Sequence, residues 1–127
     1  MLENKTILLI EDNELNRKLV RVMLQIDKYQ ILEAEDAETG IQLAQEYNPD
    51  LILMDIQLPG MGGLSATRII KKDSLLKGIP VIALTSYAMQ GDEEEAREAG
   101  CDDYITKPID RQRFLEAVTH FLKLGHV

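Results

Sequence analysis

The feature that most constrains this chain is an alternation. Short β-branched or Leu-rich runs are each followed by a stretch with apolar residues at helical spacing. The runs are Thr6-Ile7-Leu8-Leu9-Ile10, a weaker one from about Gln30 to Ala34, Leu51-Ile52-Leu53-Met54, Pro80-Val81-Ile82-Ala83-Leu84 and Asp103-Tyr104-Ile105-Thr106. The first is apolar on both faces, as a central parallel strand covered on both sides must be. Between the runs, Leu15, Leu19, Val22, Met23 and Ile26 mark a first helix. Asp36 predicts an N-cap for a second helix through about Tyr47, with Ala37, Ile41 and Ala44 inward, and Asn48-Pro49 breaks it. A third covers about Leu64 to Lys72, with Leu64, Thr67 and Ile70 on one face. A polar fourth, about Gly91 to Ala99, opens with acids from Asp92 to Glu95, which suit a helix N-terminus, and ends at Gly100. The last, about Asp110 to Leu124, turns Phe114, Leu115, Val118, Phe121 and Leu122 inward.

Parallel strands need crossover helices, so this pattern predicts an α/β protein, a doubly wound (βα)₅ sandwich. Five units are too few for an eight-stranded barrel. The alternation does not itself give the strand order. A chain of 127 residues is one ordinary domain, and residues 1–127 are expected to form it with no output domain.

Charge narrows the function classes. The chain has 22 acidic and 14 basic residues, a formal net charge of −8, which opposes direct DNA binding or attraction to an anionic membrane. No stretch approaches the roughly 20 apolar residues of a membrane span, so no membrane insertion is expected. The N-terminus does not resemble a signal peptide, and a cytoplasmic location is expected. The single cysteine, Cys101, excludes an intramolecular disulfide and a multi-cysteine zinc site.

In open α/β sheets, sites form outside the carboxyl ends of the strands. Here the runs end on Glu11-Asp12, Asp55, Thr85 and Lys107. If the first, third, fourth and fifth strands are neighbours, these side chains converge. Three close carboxylates repel one another and call for a cation, and hard oxygen ligands in an open site suit Mg²⁺. Thr85 offers a hydroxyl donor and Lys107 a point charge for a phosphoryl oxygen. Asp55, at the end of a central strand, is placed as a nucleophile of the kind that forms aspartyl phosphates.

The segments ILLIEDNELN, DLILMDIQLPGMGGL, PVIALTSYAM and DDYITKPI together resemble the response-regulator receiver domains of two-component signalling, the CheY-like family. The wording is most similar to stand-alone DivK-type regulators and to the receivers of hybrid kinases. The resemblance implies a flavodoxin-like sheet of order 2-1-3-4-5. It implies that Asp55 accepts a phosphoryl group from a sensor histidine kinase or a histidine phosphotransfer protein. It also implies Mg²⁺, with Mn²⁺ as a substitute, held directly by Asp12, Asp55 and the backbone carbonyl of Gln57, and by Glu11 through water. Lys107 and Thr85 would engage the phosphoryl oxygens and take part in autophosphorylation from small donors and in autodephosphorylation. Thr85 and Tyr104 would form the switch that repacks the fourth helix, fifth strand and fifth helix for a downstream protein target. Lys107-Pro108 would be cis. Gln57 and Tyr87 would tune hydrolysis of the phosphoaspartate.

Other functions fit less well. A haloacid-dehalogenase-type phosphatase would need an acid two residues after the nucleophile, where this chain has Gln57. A receiver reduced to a docking module would not need the full set of Glu11, Asp12, Asp55, Thr85 and Lys107. Gly60-Met61-Gly62-Gly63 fails a dinucleotide fingerprint, because Ser65 stands at the third glycine position.

Overall fold

β1 (Thr6–Ile10) and β3 (Leu51–Asp55) run side by side in a five-stranded parallel sheet, with β2 (Gln30–Ala34) outside β1. β4 (Val81–Thr85) and β5 (Asp103–Thr106) complete the order β2-β1-β3-β4-β5. The computed structural model describes residues 5–25, 29–86 and 91–124. Five helices alternate with the strands: α1 (Glu14–Leu24), α2 (Ala37–Tyr47), α3 (Gly63–Lys72), α4 (Asp92–Ala99) and α5 (Arg111–Leu124).

Side chains alternate across a strand, so each central strand feeds two cores. Leu8, Ile10, Ile52, Met54, Val81 and Ala83 pack with Ala37 and Ala44 of α2, Ala66 and Ile70 of α3 and Ala96 of α4. Ile7, Leu9, Leu51, Leu53, Ile82 and Leu84 face the other way, onto Val20 and Leu24 of α1 and Phe114, Val118 and Leu122 of α5. Phe114 is among the largest side chains with no exposed surface. Its truncation to Ala is worth about 3–5 kcal/mol by the usual cost of such a cavity.

Local chemistry sets the helix ends. The Asn13 side chain caps α1 by accepting from the Asn16 N–H, and Asp36 caps α2 by accepting from the Thr39 N–H. Asn48 ends α2 in the left-handed region, and Gly100 does the same for α4 at φ 111°. β4 begins at Val81, one residue later than the apolar run. Pro80 precedes it, and its carbonyl still accepts from the Ile52 N–H.

Periodicity left the inward face of α1 open, and packing settles it. Leu15, Leu19 and Val22 carry the helical period of α1, yet they are 63%, 49% and 53% exposed. The buried residues of α1 are Val20 and Leu24, with Met23 partly covered. This helix is apolar on two sides, and periodicity alone cannot say which side meets the sheet. Ile26 and Tyr87 lie outside the described residues. Among the described residues, no helix is long and apolar enough to cross a membrane.

Candidate functional site

Register brings the polar residues to one edge. Ile10 pairs with Met54, so Glu11 stands level with Asp55. Asp55 pairs with Leu84, which places Thr85 one step further on. Thr85 pairs with Thr106, and Lys107 follows directly. Its N–H donates to the Thr85 carbonyl at 2.7 Å. The Lys107-Pro108 peptide bond is cis.

Glu11, Asp55 and Thr85 are 1%, 3% and 1% exposed, while Asp12 is exposed. One carboxylate oxygen from each of Glu11, Asp12 and Asp55 lies within 4.8 Å of the others. Lys107 reaches into this group, with Nζ 2.6 Å from Glu11 Oε1 and 3.8 Å from Asp55 Oδ2. Backbone donors fix the carboxylates from behind. The Asn13 N–H donates to Glu11 Oε2 at 3.1 Å, and the Gln57 N–H donates to Asp55 Oδ1 at 3.0 Å.

The two buried acids are driven apart in acidity. Burial pushes Asp55 up to about 7, and its hydrogen bond to Glu11 and the Glu11 charge push the same way, against the Gln57 N–H and Lys107. Burial alone would raise Glu11 too. Its hydrogen bonds with Lys107, Asp55 and the Asn13 N–H outweigh burial and hold it below the usual carboxylate range. Burial and the neighbouring Glu11 thus favour the protonated form of Asp55 below about 7. An all-oxygen donor set, buried on one side and open at Asp12, fits a hard divalent cation that keeps waters and meets a phosphoryl oxygen. A cation would discharge the repulsion and displace the proton from Asp55.

Thr85 is held by a neighbour that the sequence did not announce. The Gln57 side-chain amide donates to the Thr85 hydroxyl, and its oxygen accepts from the Ser86 N–H at 3.1 Å. The exposed Gln57 thus clasps the end of β4 from the loop after β3. Tyr104 is half-buried against the core beneath α4, and its hydroxyl is out of water with no well-formed hydrogen bond. Burial and the charges of Asp92 and Glu93 push its phenol up, with the Thr85 hydroxyl opposing.

Arg17 is the other residue that sequence reasoning missed. Its Nη1 donates to the Glu11 carbonyl at 2.9 Å. Its Nε lies 3.4 Å from Glu33 Oε1 and its Nη2 3.3 Å from Glu35 Oε1. Arg21 also holds Glu33, at 2.6 Å. No spacing pattern marks Arg17, because one partner is a backbone oxygen and the others, Glu33 and Glu35, lie at the end of β2.

Comparison with known proteins agrees with this geometry. The profile of the response regulator receiver domain matches residues 7–119. The polar-differentiation response regulator DivK of Brucella ovis is 47% identical over 118 residues, covering 93% of this chain and 96% of that protein. The receiver domain of a sensor histidine kinase from Pseudomonas aeruginosa, solved with magnesium coordinated in its active-site cleft, is 35% identical with TM-score 0.87. That match covers 94% of this chain and 98% of that one. A chemotaxis response regulator of Vibrio cholerae shares the fold at TM-score 0.85 and 23% identity, over 93% of this chain and 98% of its own. With this sheet order, this acidic strand-end cluster and these relatives, the chain belongs to the response-regulator receiver family, the switch domains of two-component signalling.

Proposed function

We propose that Asp55 is the phosphoryl acceptor, and that its phosphorylation switches the binding of a downstream protein. The observation that carries this reading is the placement of the Asp55 carboxylate, buried at the end of β3, held at one oxygen by the Gln57 N–H and facing Lys107 at the other. The donor is a phosphohistidine on a sensor histidine kinase or a phosphotransfer protein. A carboxylate oxygen of Asp55 attacks phosphorus, the P–N bond breaks, and its electron pair returns to the imidazole nitrogen. Lys107 moves from Glu11 to a phosphoryl oxygen, and the Thr85 hydroxyl donates to another. Catalysis on this reading is mostly positioning and charge neutralisation.

Asp12 and Asp55, with the Gln57 carbonyl and with Glu11 through water, would hold Mg²⁺ or, in its place, Mn²⁺. When bound, the cation supplies positive charge to the phosphoryl oxygens. Small phosphodonors can use the same residues, and water can later hydrolyse the acyl phosphate. Gln57 cannot serve as a general acid, which disfavours a phosphatase acting on free esters.

The switch on this reading runs from Thr85 to Tyr104. Drawing the Thr85 hydroxyl toward the phosphoryl group changes what Tyr104 packs against. Tyr104 lines a cleft of about 670 Å³ with Glu93, Arg97, Ile105 and Arg113, on the face made by α4, β5 and α5. That face would read out the state to the target. The donor would dock on the opposite side of the site. There, exposed Leu19 of α1 lines a smaller cleft of about 240 Å³ with Met23, Lys107, Pro108 and Ile109.

The test is intact-mass spectrometry after incubation with acetyl phosphate, with and without Mg²⁺, on the wild type and Asp55→Asn. One added phosphoryl group that needs both Mg²⁺ and Asp55 is expected. An adduct that survives Asp55→Asn would overturn the assignment.

A further inference from the structure

We infer that Arg17 is a positioning residue for the cation site, acting through the backbone of the Glu11-Asp12 pair. This inference rests on the reading that the cluster holds Mg²⁺. The Arg17 side chain is only 11% exposed although it sits on an outer helix. It spans the carboxyl ends of two strands, bonding the Glu11 carbonyl of β1's end and facing Glu33 and Glu35 at the end of β2. Its fork does not take a carboxylate oxygen of the cluster and so does not itself compete with a ligand there.

The bond to the Glu11 carbonyl has a geometric consequence. That oxygen belongs to the planar peptide unit joining Glu11 to Asp12, a unit that also contains the Asp12 nitrogen and Cα. Fixing the oxygen restrains the plane, and with it the position of the Asp12 Cα, so that only rotation about Asp12's own N–Cα bond is left to set the direction in which the side chain leaves the backbone. Asp12 is exposed and has little packing of its own to set that direction. In the preceding peptide unit, the Glu11 N–H donates to the Ala34 carbonyl, which anchors the strand end to β2. Arg17 completes the anchorage from α1. Supporting contacts of this kind around ligands commonly change metal affinity 10- to 100-fold.

Charge and positioning predict opposite signs. Arg17 is a cation beside an anionic site, so by Coulomb's law alone its removal strengthens Mg²⁺ binding. Freed of Arg17, Glu33 and Glu35 add to the same negative field. If Arg17 instead orients Asp12, its removal weakens binding.

The experiment is calorimetric titration of Mg²⁺ into metal-stripped wild type, Arg17→Met, Arg17→Lys and Arg21→Ala at one ionic strength, with urea unfolding of each metal-free protein. Arg17→Met keeps the apolar stem, and its Kd is expected to rise about tenfold. Arg17→Lys keeps the charge with a single-pronged donor, and its Kd is expected to lie between. Should Arg17→Met not fold, a Kd for Arg17→Lys at or below the wild-type value overturns the inference. Arg21→Ala loses a Glu33 contact but nothing at Glu11, and is expected within about twofold of wild type. An Arg17→Met Kd at or below the wild-type value overturns the inference, as does an equal loss in Arg21→Ala. Wild type that binds no Mg²⁺ at millimolar concentration overturns the cation reading itself, and this inference with it.

Discussion

Lys107 and Glu11, ninety-six residues apart in sequence, form the closest charged contact in the site, 2.6 Å from Nζ to Oε1. The same ammonium is 3.8 Å from Asp55. The lysine therefore sits tightly on one buried acid and loosely beside the other, which burial pushes up to about 7. That division between two carboxylates sets most of what the site should do when it is perturbed.

Asp55→Asn should stabilise the metal-free protein, and the gain should depend on pH. The folded state holds the Asp55 proton up to about 7, whereas an unfolded aspartate releases it near 3.8. Between those values the folded protein binds more protons than the unfolded one, so the contribution of Asp55 is fully present below about 4 and is lost as pH rises to 7. The limiting slope is about 1.4 kcal/mol per pH unit. Glu11 has the opposite sign, contributing above its unfolded value and losing that contribution as pH falls through its lowered one. Chelator-treated wild type and Asp55→Asn compared by urea unfolding at pH 4.5, 6 and 7.5 should diverge as pH rises. A constant gap would contradict the charge arrangement.

Lys107→Met should be costly in the absence of metal. Glu11 is then a buried carboxylate without its cation, and breaking such a pair typically costs about 3–5 kcal/mol. Glu11→Gln combined with Lys107→Met should recover much of the loss, because no unpaired charge remains. A double-mutant cycle read by urea denaturation measures this coupling. Additive losses would mean that the pair is not coupled.

Gly63 and Gly60 should separate cleanly. A Cβ on Gly63, at the start of α3, would stand 2.2 Å from the Asp55 carbonyl oxygen, a backbone atom that cannot yield without moving β3. Gly63→Ala should lose about 2 kcal/mol or more from overpacking and should weaken Mg²⁺ binding. A Cβ on Gly60 meets nothing within 4 Å, and only its φ of +70° resists the change. Gly60→Ala should cost about 1–2 kcal/mol and leave Mg²⁺ affinity within about twofold of wild type. Thermal melts and Mg²⁺ titration of both variants check this.

Gln57→Ala removes the clasp on the end of β4 but keeps the Gln57 backbone. Its stability cost should be small, about 1 kcal/mol for exposed hydrogen bonds. The Ser86 amide should exchange with solvent distinctly faster by hydrogen–deuterium exchange, since its acceptor is gone. Unchanged exchange at Ser86 would show that the strand end is held without the glutamine.

The parts of this protein legible from sequence are those governed by short-range rules. The both-face apolar character of Thr6–Ile10, the cap at Asp36 and the left-handed stop at Gly100 all act within a few residues, and the structure has them in place. The convergence of Glu11, Asp55, Thr85 and Lys107 needed one further fact, the strand order, which came from family resemblance and not from periodicity. The inward face of α1 was not legible because Leu15-Leu19-Val22 and Val20-Leu24 are both plausible stripes, and only tertiary packing chooses between them. Arg17 and the Gln57 side chain were missed for a related reason. Their partners, the Glu11 carbonyl and the Glu33 and Glu35 carboxylates for one and the Thr85 hydroxyl and Ser86 N–H for the other, lie on other elements, and no composition signal records such a pairing.

The register at the strand ends has a consequence for how the chain is made. Asp12, Asp55 and Thr85 lie on segments synthesised well before Lys107, the last of the strand-end residues to emerge. Domains generally fold as units, and this one cannot be completed until its last strand has left the ribosome. A nascent chain lacking β5 thus carries its acids without their counter-charge and offers the unpaired edge of β4. The final strand delivers both the sheet's missing edge and the cation that makes the acidic cluster tolerable. Closure of the sheet and arrival of the lysine at the acidic cluster are therefore tied to the same few residues.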